Sequence, residues 1–451
     1  MRFQIDLTRG SIGKNLFQFS MPLILINVLQ AVYNVADMAL AGHLVGTGGM
    51  AAINTSGQIM NIILVLTIGF SNGISIVTGQ LVGAGQQSCV RTVIKTVVPC
   101  FAALAAVVSG AAACLCDPML RILHIPPAVF AEAREYMLIC LCGTIGVYLY
   151  NSLAGVLRGL GDSFHPMMFV CISTGTNIVL DYLLMGPLHM GVKGAALATV
   201  TAQWLSMALV FVYIKRNTEF LKRTAQNSGF DKTVLKMIVK IGLPQAFQFT
   251  ATQFSILIIA GLVNTYGTVA AAAVGASNKA GTFAQLPGQA LNAGVLTVTA
   301  QNLPKNNYSR ILKSMFLAMG TGLVVSCIFF GVSAVRPSVI LGIFSNDAEV
   351  LEMGRQYLVL MAAGCVTENI IYTSTGVVSG AGYTHITMAA AMLSALFRII
   401  FALILQQATD LGVIGLGTAV VLAPVIPVIV MAAVLISGKW KKSALSEEYQ
   451  A

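Results

Sequence analysis

Residues 48–80 read GGMAAINTSGQIMNIILVLTIGFSNGISIVTGQ, and they lie within a longer run, 38–90, that contains no Asp, Glu, Lys or Arg. A helix needs about 20 predominantly apolar residues to cross a bilayer. The strands of a membrane β-barrel are instead short segments in which apolar and polar residues alternate. Residues 48–80 do not alternate in this way, so they predict a transmembrane helix.

The composition of the whole chain supports the same interpretation. Only 9% of the 451 residues are charged and 57% are hydrophobic, with a mean hydropathy of +0.83. An ordinary soluble protein has about a quarter of its residues charged. The scarcity of charge excludes a soluble globular domain, a disordered chain, a coiled coil and a secreted disulfide scaffold. We therefore interpret the chain as an all-α integral membrane protein.

The spacing of charged residues predicts twelve transmembrane helices. Uncharged runs, merged where a single intramembrane charge divides them, give the spans 14–42, 48–80, 90–115, 128–157, 163–185, 192–215, 233–265, 269–302, 309–335, 349–379, 384–407 and 412–438. An even number of spans places both termini on the same side of the membrane.

Basic residues are distributed unequally between the two sides of the predicted spans. The side of the termini has 19 Lys and Arg residues, the opposite side has five, and Lys279 and Arg398 lie within spans. Cytoplasmic loops carry an excess of basic residues. Both termini are therefore expected to be cytoplasmic, in a multi-pass protein of the cell membrane. The net charge of +10 is interpreted as this topology signal, and no nucleic-acid partner is expected.

The two halves of the sequence match each other at a constant shift of 221 residues. The matched pairs include Gly46 with Gly267, Gly73 with Gly294, Gln80 with Gln301, Gly159 with Gly380, Gly161 with Gly382, Met167 with Met388 and Gly191 with Gly412. Six spans in each copy predict two six-helix lobes related by a pseudo-two-fold axis along the membrane normal, with a substrate path between them. The predicted N-lobe is 1–220, ending in a basic cytoplasmic linker, and the C-lobe is 221–451 with a short cytoplasmic tail.

Polar side chains within the spans follow narrow helical faces. Asn27, Gln30, Asn34 and Asp37 lie at i, i+3, i+7 and i+10 of the first span. Single polar residues are explained by hydrogen bonds between helices, whereas stripes of amides favour a hydrated cavity wall. The predicted substrate-cavity residues are Asn27, Gln30, Asn34, Asn54, Gln58, Gln248, Thr252, Asn278 and Gln285.

Five ionisable residues lie deep within predicted spans: Asp37, Asp181, Glu368, Lys279 and Arg398. Each would cost at least about 2.5 kcal/mol if it faced lipid, so each is expected to face the protein interior. A carboxylate in a low-dielectric cleft can exchange a proton for another cation, which favours a coupling role for Asp37 and Asp181. Glu368 is a second candidate acid. The alternative is a structural ion pair of Glu368 with Lys279 or Arg398, and these two basic residues are interpreted as structural.

Several segments resemble the multidrug and toxic compound extrusion (MATE) transporters over essentially the whole chain. They are Met21-Pro22, 33–37 (YNVAD), 41–46 (AGHLVG), 79–85 (GQLVGAG), 157–162 (LRGLGD), 191–199 (GVKGAALAT) and 300–302 (AQN). The resemblance implies twelve spans in two six-helix lobes, in agreement with the spans counted above.

The resemblance also implies roles for individual residues. Asp37 matches a first-span aspartate implicated in cation coupling, and Asn177, Asp181 and Thr199 match an N-lobe cluster that binds a proton or sodium ion in some members. Glu368 lies where certain sodium-driven members carry an acid. The seventh-span acid of those members has no counterpart here, so the resemblance favours the N-lobe site, with Na⁺ as the one metal considered, at Asp37, Asn177 and Asp181.

The predicted function is a secondary-active multidrug efflux antiporter. It would exchange amphipathic or cationic organic compounds for H⁺ or Na⁺, with no other cofactor and no enzymatic activity. The expected partners are small drug-like molecules and membrane lipids, and the protein is expected to be a monomer. The alternatives are a lipid-linked precursor flippase of the same superfamily, a major-facilitator carrier and an integral membrane enzyme. The loop between spans 2 and 3 of this sequence does not have the acidic-then-basic signature expected of a major-facilitator carrier. The sequence also shows no cluster of catalytic residues of the kind an integral membrane enzyme would need.

Overall fold

A computed structural model describes residues 5–122, 127–217, 229–345 and 347–445 of the chain. Within these ranges the regular secondary structure is entirely helical, as predicted from the composition. The chain divides into two compact units. Unit 1 contains Ile5 and 25–242, and unit 2 contains 6–24 and 243–445 of the described residues.

Most of unit 1 is built from the first seven helices. They are α1 (Ile12–Leu44), α2 (Gly46–Gly83), α3 (Cys89–Cys114), α4 (Cys116–Ile122), α5 (Pro127–Gly159), α6 (Phe164–Met185) and α7 (Gly191–Asn217). All six spans predicted for the N-lobe coincide with one of these helices, and α4 is an additional short helix after α3.

Most of unit 2 is built from the remaining helices. They are α8 (Lys232–Asn264), α9 (Thr268–Asn302), α10 (Tyr308–Val335), α11 (Pro337–Leu341), α12 (Ala348–Gly380), α13 (Thr384–Ala408), α14 (Val413–Leu422) and α15 (Val425–Ser437). The last predicted span is formed by α14 and α15 together. The short helix α11 begins at the position that corresponds to the start of α4, so the repeat extends to this detail.

Two long helices contribute to both units. The beginning of α1, up to Ile24, belongs to unit 2, whereas the beginning of α8, up to Gly242, belongs to unit 1. Each division lies two residues from a proline inside the helix, Pro22 or Pro244, where a backbone hydrogen bond of the helix is missing. The lobe boundary predicted between residues 220 and 221 lies outside the described residues and stays a prediction.

Hydrogen bonds from a side chain to the backbone hold the N-terminal segment in place within unit 2. The guanidinium of Arg310 donates to the carbonyl oxygens of Leu7 (2.7 Å), Gly10 (2.8 Å) and Arg9 (2.7 Å). Leu7 is fully buried. The segment that leads into α1 is thus anchored by a residue about 300 positions later in the chain.

Ten of the described helical segments are long and apolar enough to cross a membrane. The helices α9 and α12 also have the length of spans but are rich in Gly, Ala, Thr and Asn. They pack extensively against each other, and residues 294–302 and 373–380 are buried throughout. Other helices therefore cover much of the surface of α9 and α12. These two helices expose less surface to lipid, so they can be less hydrophobic than the other spans.

Close backbone contact between these core helices depends on glycine. A Cβ atom on Gly380 would lie 2.6 Å from the carbonyl oxygen of Leu296, and one on Gly159 would lie 2.7 Å from that of Ser75. These two glycines correspond at the repeat shift. In unit 1 the equivalent helix pair is α2 and α5, so both units have the same core contact.

Candidate functional site

Unit 1 contains a cluster of polar side chains from three helices. Tyr33 and Asp37 lie one turn apart on α1, Asn177 and Asp181 lie one turn apart on α6, and Thr199 lies on α7. Residues at i and i+4 share a helical face, so each pair presents two polar groups in the same direction. The structure thus brings together the four residues that the sequence analysis assigned to the N-lobe site.

Asn177 is the centre of the hydrogen bonds in this cluster. With its amide oriented to suit its neighbours, Nδ2 donates to Asp181 Oδ2 (3.1 Å) and to the Tyr33 hydroxyl (3.3 Å). Its Oδ1 accepts from the backbone N–H of Thr199 (3.1 Å). Thr199 therefore contributes its main-chain N–H, its side chain lies within hydrogen-bonding reach of Tyr33, and Asn177 fixes the orientation of Asp181.

The two carboxylates of the cluster have no basic partner. Asp181 is fully buried, Asp37 is half-buried, and the two are close enough to repel each other. Within the described ranges neither carboxylate takes part in an ion pair, and Oδ1 of each has no hydrogen-bond donor. One buried and one half-buried carboxylate, without a fixed cation beside them, favour the binding of a proton or a small cation.

Three further residues lie close to the acids, and the sequence analysis did not assign them a role. Tyr33 contacts Asn177 directly. Tyr136 and Cys140, one turn apart on α5, are buried and lie within electrostatic reach of Asp37. Tyr33 could have been found from its i−4 spacing to Asp37. Tyr136 and Cys140 gave no signal, because both residue types are common in apolar helices.

In unit 2, Glu368 lies on α12 and is half-buried. Arg398 on α13 is within electrostatic reach of it, and is only 6% exposed. The Arg398 Nη1 donates to Ser255 Oγ on α8 (2.9 Å). Lys279 is exposed on α9 and forms no ion pair with any residue that the structure describes. Of the two basic partners considered for Glu368, Arg398 is therefore the one that lies near it.

The predicted cavity residues differ in exposure and bonding. Gln30, Asn54, Gln58 and Asn278 are exposed, and Asn27, Gln248, Thr252 and Gln285 are half-buried. The side chain of Asn34 lies outside the part of the chain that is described.

Two of the half-buried amides bond to neighbouring helices. Gln248 Oε1 accepts from the Thr387 hydroxyl (2.9 Å), and Gln285 Oε1 accepts from the Tyr372 hydroxyl (3.1 Å). Hydrogen bonding between helices, the alternative considered from the sequence, thus applies to these two residues. The cavity role of the whole set stays a prediction.

The sequence also matches a known family. The model of the MatE family matches residues 22–183 and 244–404. The two segments begin at Pro22 and Pro244 and together cover most of the chain, so the match reproduces the internal repeat. The match includes the helices that carry Asp37, Asp181, Glu368 and Arg398.

Individual relatives and solved structures agree with this family match. The chain is 25% identical to the probable multidrug resistance protein YoeA of Bacillus subtilis over 360 residues, which is 78% of each chain. It is 24% identical to the probable multidrug resistance protein NorM of Thermotoga maritima, covering 96% of this chain and 94% of the relative. A crystal structure of MATE in the bent conformation superposes with a TM-score of 0.87 at 20% identity, covering 99% and 98% of the two chains. Together, the repeated match, the twelve predicted spans and the shared fold show that this multi-pass membrane protein belongs to the MATE family of transporters.

Proposed function

We propose that this protein is a multidrug efflux antiporter of the cytoplasmic membrane, with both termini in the cytoplasm. It exports amphipathic, often cationic, organic compounds in exchange for protons or sodium ions. The observation that carries the proposal is the pair Asp37 and Asp181, two intramembrane carboxylates without a basic partner among the described residues. The drug-resistance names of relatives that cover 78% and 96% of the chain support the substrate class.

The cation would act by changing the relative stability of two conformations. Without a bound proton or Na⁺, Asp37 and Asp181 repel each other at the interface of α1 and α6. A bound cation removes this repulsion and stabilises the packing of these helices. A ligand shifts a conformational equilibrium by its difference in affinity for the two states. In an antiporter, the substrate must then favour the state that the coupling ion disfavours.

The residues around the acids suit a small cation. Asn177 Oδ1 and Asp181 Oδ2 are engaged in hydrogen bonds, whereas Oδ1 of Asp37 and of Asp181 are free of donors among the described residues. A single proton shared by the two carboxylates, or an oxygen-coordinated Na⁺, would satisfy these atoms. Both coupling ions are therefore included in the proposal, and the experiment separates them.

The test is ion-driven efflux of a fluorescent cationic dye from proteoliposomes, measured under a pH gradient and separately under a sodium gradient. We expect Asp37→Asn to reduce efflux at least about tenfold, since loss of about 1.4 kcal/mol of coupling corresponds to a factor of ten. Glu135→Gln is the matched control, because Glu135 is an exposed acid that pairs with Lys193 (2.8 Å). Undiminished efflux by Asp37→Asn under both gradients would show that the coupling role is wrong.

One observation favours a second candidate, a flippase for a lipid-linked anionic precursor. Lys279 is exposed on α9 and forms no ion pair in the described ranges, so its ammonium group is available to a phosphate. Movement of a labelled lipid-linked pyrophosphate across the liposome membrane, lost in Lys279→Gln, would support this candidate. Dye efflux with no lipid movement would support the antiporter.

A further inference from the structure

Three lysines lie on one face of the first turns of α8. Lys232, Lys236 and Lys240 are spaced at i, i+4 and i+8, and all three are exposed. The opposite face of the same turns is buried and apolar, and it consists of Val234, Met237, Ile238 and Ile241. The three lysines therefore point away from the interior of unit 1.

The neighbouring helix α3 brings further basic residues to this part of unit 1. The backbone N–H of Asp231, just before α8, donates to the Thr96 hydroxyl on α3 (3.0 Å). Lys95, next to Thr96, is exposed, and Arg91 lies one turn earlier on the same helix. The Asp231 carboxylate caps α8 by accepting from the backbone N–H of Thr233 (2.7 Å). Two adjoining helices thus present basic side chains at one end of the unit, and the acid between them is engaged by the start of α8.

The face that carries the lysines continues along α8 as an apolar stripe. Leu243, Phe247, Phe254 and Leu257 follow Lys240 at helical spacing, and they are between 41% and 63% exposed. Because α8 is long and apolar enough to cross the membrane, large apolar side chains with this exposure lie against lipid chains. The lysines therefore lie where a lipid-facing stripe reaches the level of the lipid headgroups.

Helix geometry allows the three ammonium groups to reach one layer of headgroups. Lys232 and Lys240 are separated along the helix axis by about 12 Å. Side chains in a helix lean toward its N-terminus, and a long lysine side chain near the end of a span extends toward the membrane surface. The ammonium group of Lys240 can therefore approach the phosphates that Lys232 and Lys236 contact.

The repeated fold does not require basic residues at this place. At the shift of 221 residues, the three lysines correspond to Ser11, Asn15 and Phe19 at the start of α1. The Asn15 amide donates to the carbonyl oxygens of Asp6 (3.0 Å) and Arg9 (2.6 Å), and Phe19 is fully buried. The first repeat uses this face for contacts within the protein, whereas the second repeat turns a charged face outward. The lysines of α8 therefore serve something other than helix packing.

We propose that the start of α8, together with the adjoining part of α3, binds the phosphate headgroup of an anionic phospholipid, whose acyl chains lie along Leu243 and Phe247. Clusters of basic residues next to a membrane-spanning helix attract anionic headgroups, and a lysine ammonium offers three donors to phosphate oxygens. The assignment to the cytoplasmic leaflet rests on the proposed orientation of the protein. Binding itself is independent of the proposed antiport.

The test measures binding of single lipids to the purified protein in neutral detergent by native mass spectrometry. Phosphatidylglycerol and phosphatidylcholine with identical acyl chains are titrated separately. We expect the wild type to bind the first phosphatidylglycerol more tightly, and we expect Lys232→Gln/Lys236→Gln/Lys240→Gln to weaken that binding at least about tenfold. Binding of phosphatidylcholine should not change. Equal affinity of the wild type for the two lipids would overturn the proposal.

A matched variant separates this site from the effect of net charge. Lys14→Gln/Lys313→Gln/Lys442→Gln removes the same charge from three exposed lysines at other places on the side of the termini. We expect it to bind phosphatidylglycerol like the wild type. Equal weakening by the two triple variants would overturn the proposal, because the affinity would then follow the charge of the whole protein.

Two variants of the α8 lysines guard against loss of folding. Lys232→Arg/Lys236→Arg/Lys240→Arg keeps the charge and is expected to retain the affinity for phosphatidylglycerol. Lys236→Gln alone is expected to weaken it about fivefold. Loss of binding in the arginine variant, with thermal unfolding like that of the wild type, would contradict recognition by charge.

A soluble competitor distinguishes a lipid from a free phosphate. Glycerol 3-phosphate carries the same phosphate chemistry without acyl chains. We expect it not to displace phosphatidylglycerol at equal concentration, because it cannot contact the apolar stripe of α8. Complete displacement under these conditions would show that the site takes a free phosphate and would overturn the assignment to a lipid.

Discussion

The acid cluster of unit 1 and the Glu368–Arg398 pair of unit 2 are built on the same scaffold with different charges. Asn177 and Arg398 occupy corresponding positions on the fifth span of each repeat, whereas Glu368 comes from α12, the fourth span of the second repeat. Unit 1 has two carboxylates without a basic partner in its described part, whereas unit 2 has one carboxylate and one guanidinium. A repeat can therefore preserve helix packing while its two polar sites diverge in net charge.

The difference in charge between the two sites is tested most directly by Asn177→Arg, which places the guanidinium of unit 2 at the equivalent position of unit 1. A guanidinium beside Asp181 would occupy the place of the coupling ion. Two like charges 4 Å apart repel by about 4 kcal/mol in a partly polar environment, which corresponds to about 1,000-fold weaker cation binding. We expect ion-driven dye efflux to be lost, with Asn177→Ser as the uncharged control. Retained efflux by Asn177→Arg would contradict a mobile cation at this site.

The shared scaffold can be tested with Gly159→Ala and Gly380→Ala. In each variant the new Cβ would lie less than 3 Å from a carbonyl oxygen of the facing helix. Overpacking of this kind costs about 1–3 kcal/mol, so both variants are expected to unfold at lower temperature, by similar amounts. Gly110→Ala is the control, because a Cβ there would meet nothing within 4 Å. Thermal unfolding followed by fluorescence measures all three, and unequal effects at Gly159 and Gly380 would contradict equivalent core packing.

The contribution of the Tyr33 hydroxyl to the acid cluster is expected to be smaller. Tyr33→Phe removes an acceptor for Asn177 Nδ2, and such a hydrogen bond contributes about 1 kcal/mol. We expect the concentration of the coupling ion that gives the half-maximal rate of efflux to rise about fivefold. Tyr182→Phe is the control, since Tyr182 is exposed on α6. An unchanged ion dependence in Tyr33→Phe would remove this residue from the site.

The smallest effect concerns Asp6 in the N-terminal segment. Partial burial raises the pKa of its carboxyl group, but hydrogen bonds from Thr8 and the charges of Lys305 and Arg9 outweigh burial and lower the pKa. A lowered pKa stabilises the fold above the ordinary Asp value of about 3.9, and this contribution is lost as the pH falls through the folded-state pKa. Asp6→Asn is thus expected to lower the melting temperature slightly at neutral pH, because the free energy of unfolding falls by less than about 1 kcal/mol. An equal effect at pH 7 and below pH 3, checked by thermal unfolding, would contradict this account.

The fold was largely predictable because bilayer thickness sets helix length and charge marks the ends of helices. All twelve predicted spans coincide with helices, including the weakly hydrophobic α9 and α12. The helices α4 and α11 were missed, since seven and five residues give no periodic signal. The division of α1 and α8 between units was also missed, because an apolar pattern does not specify which neighbour a helix packs against.

The candidate site was predictable only in part. The scarcity of charge in lipid identified Asp37 and Asp181, and the structure places them together with Asn177. Spacing along the chain could not distinguish Lys279 from Arg398 as the neighbour of Glu368, because that depends on the rotation of each helix. The sequence did not predict Tyr136 and Cys140 as neighbours of Asp37, because tertiary packing brings α5 close to α1.

The hydrogen bonds from Arg310 to the N-terminal segment have a consequence for biogenesis. Residues Leu7, Arg9 and Gly10 are synthesised about 300 residues before the guanidinium that binds their carbonyl oxygens. The segment that leads into α1 therefore has no hydrogen-bond donor from Arg310 while most of the protein is being translated and inserted. A chain that ends before α10 would therefore lack the donor for these three carbonyl oxygens.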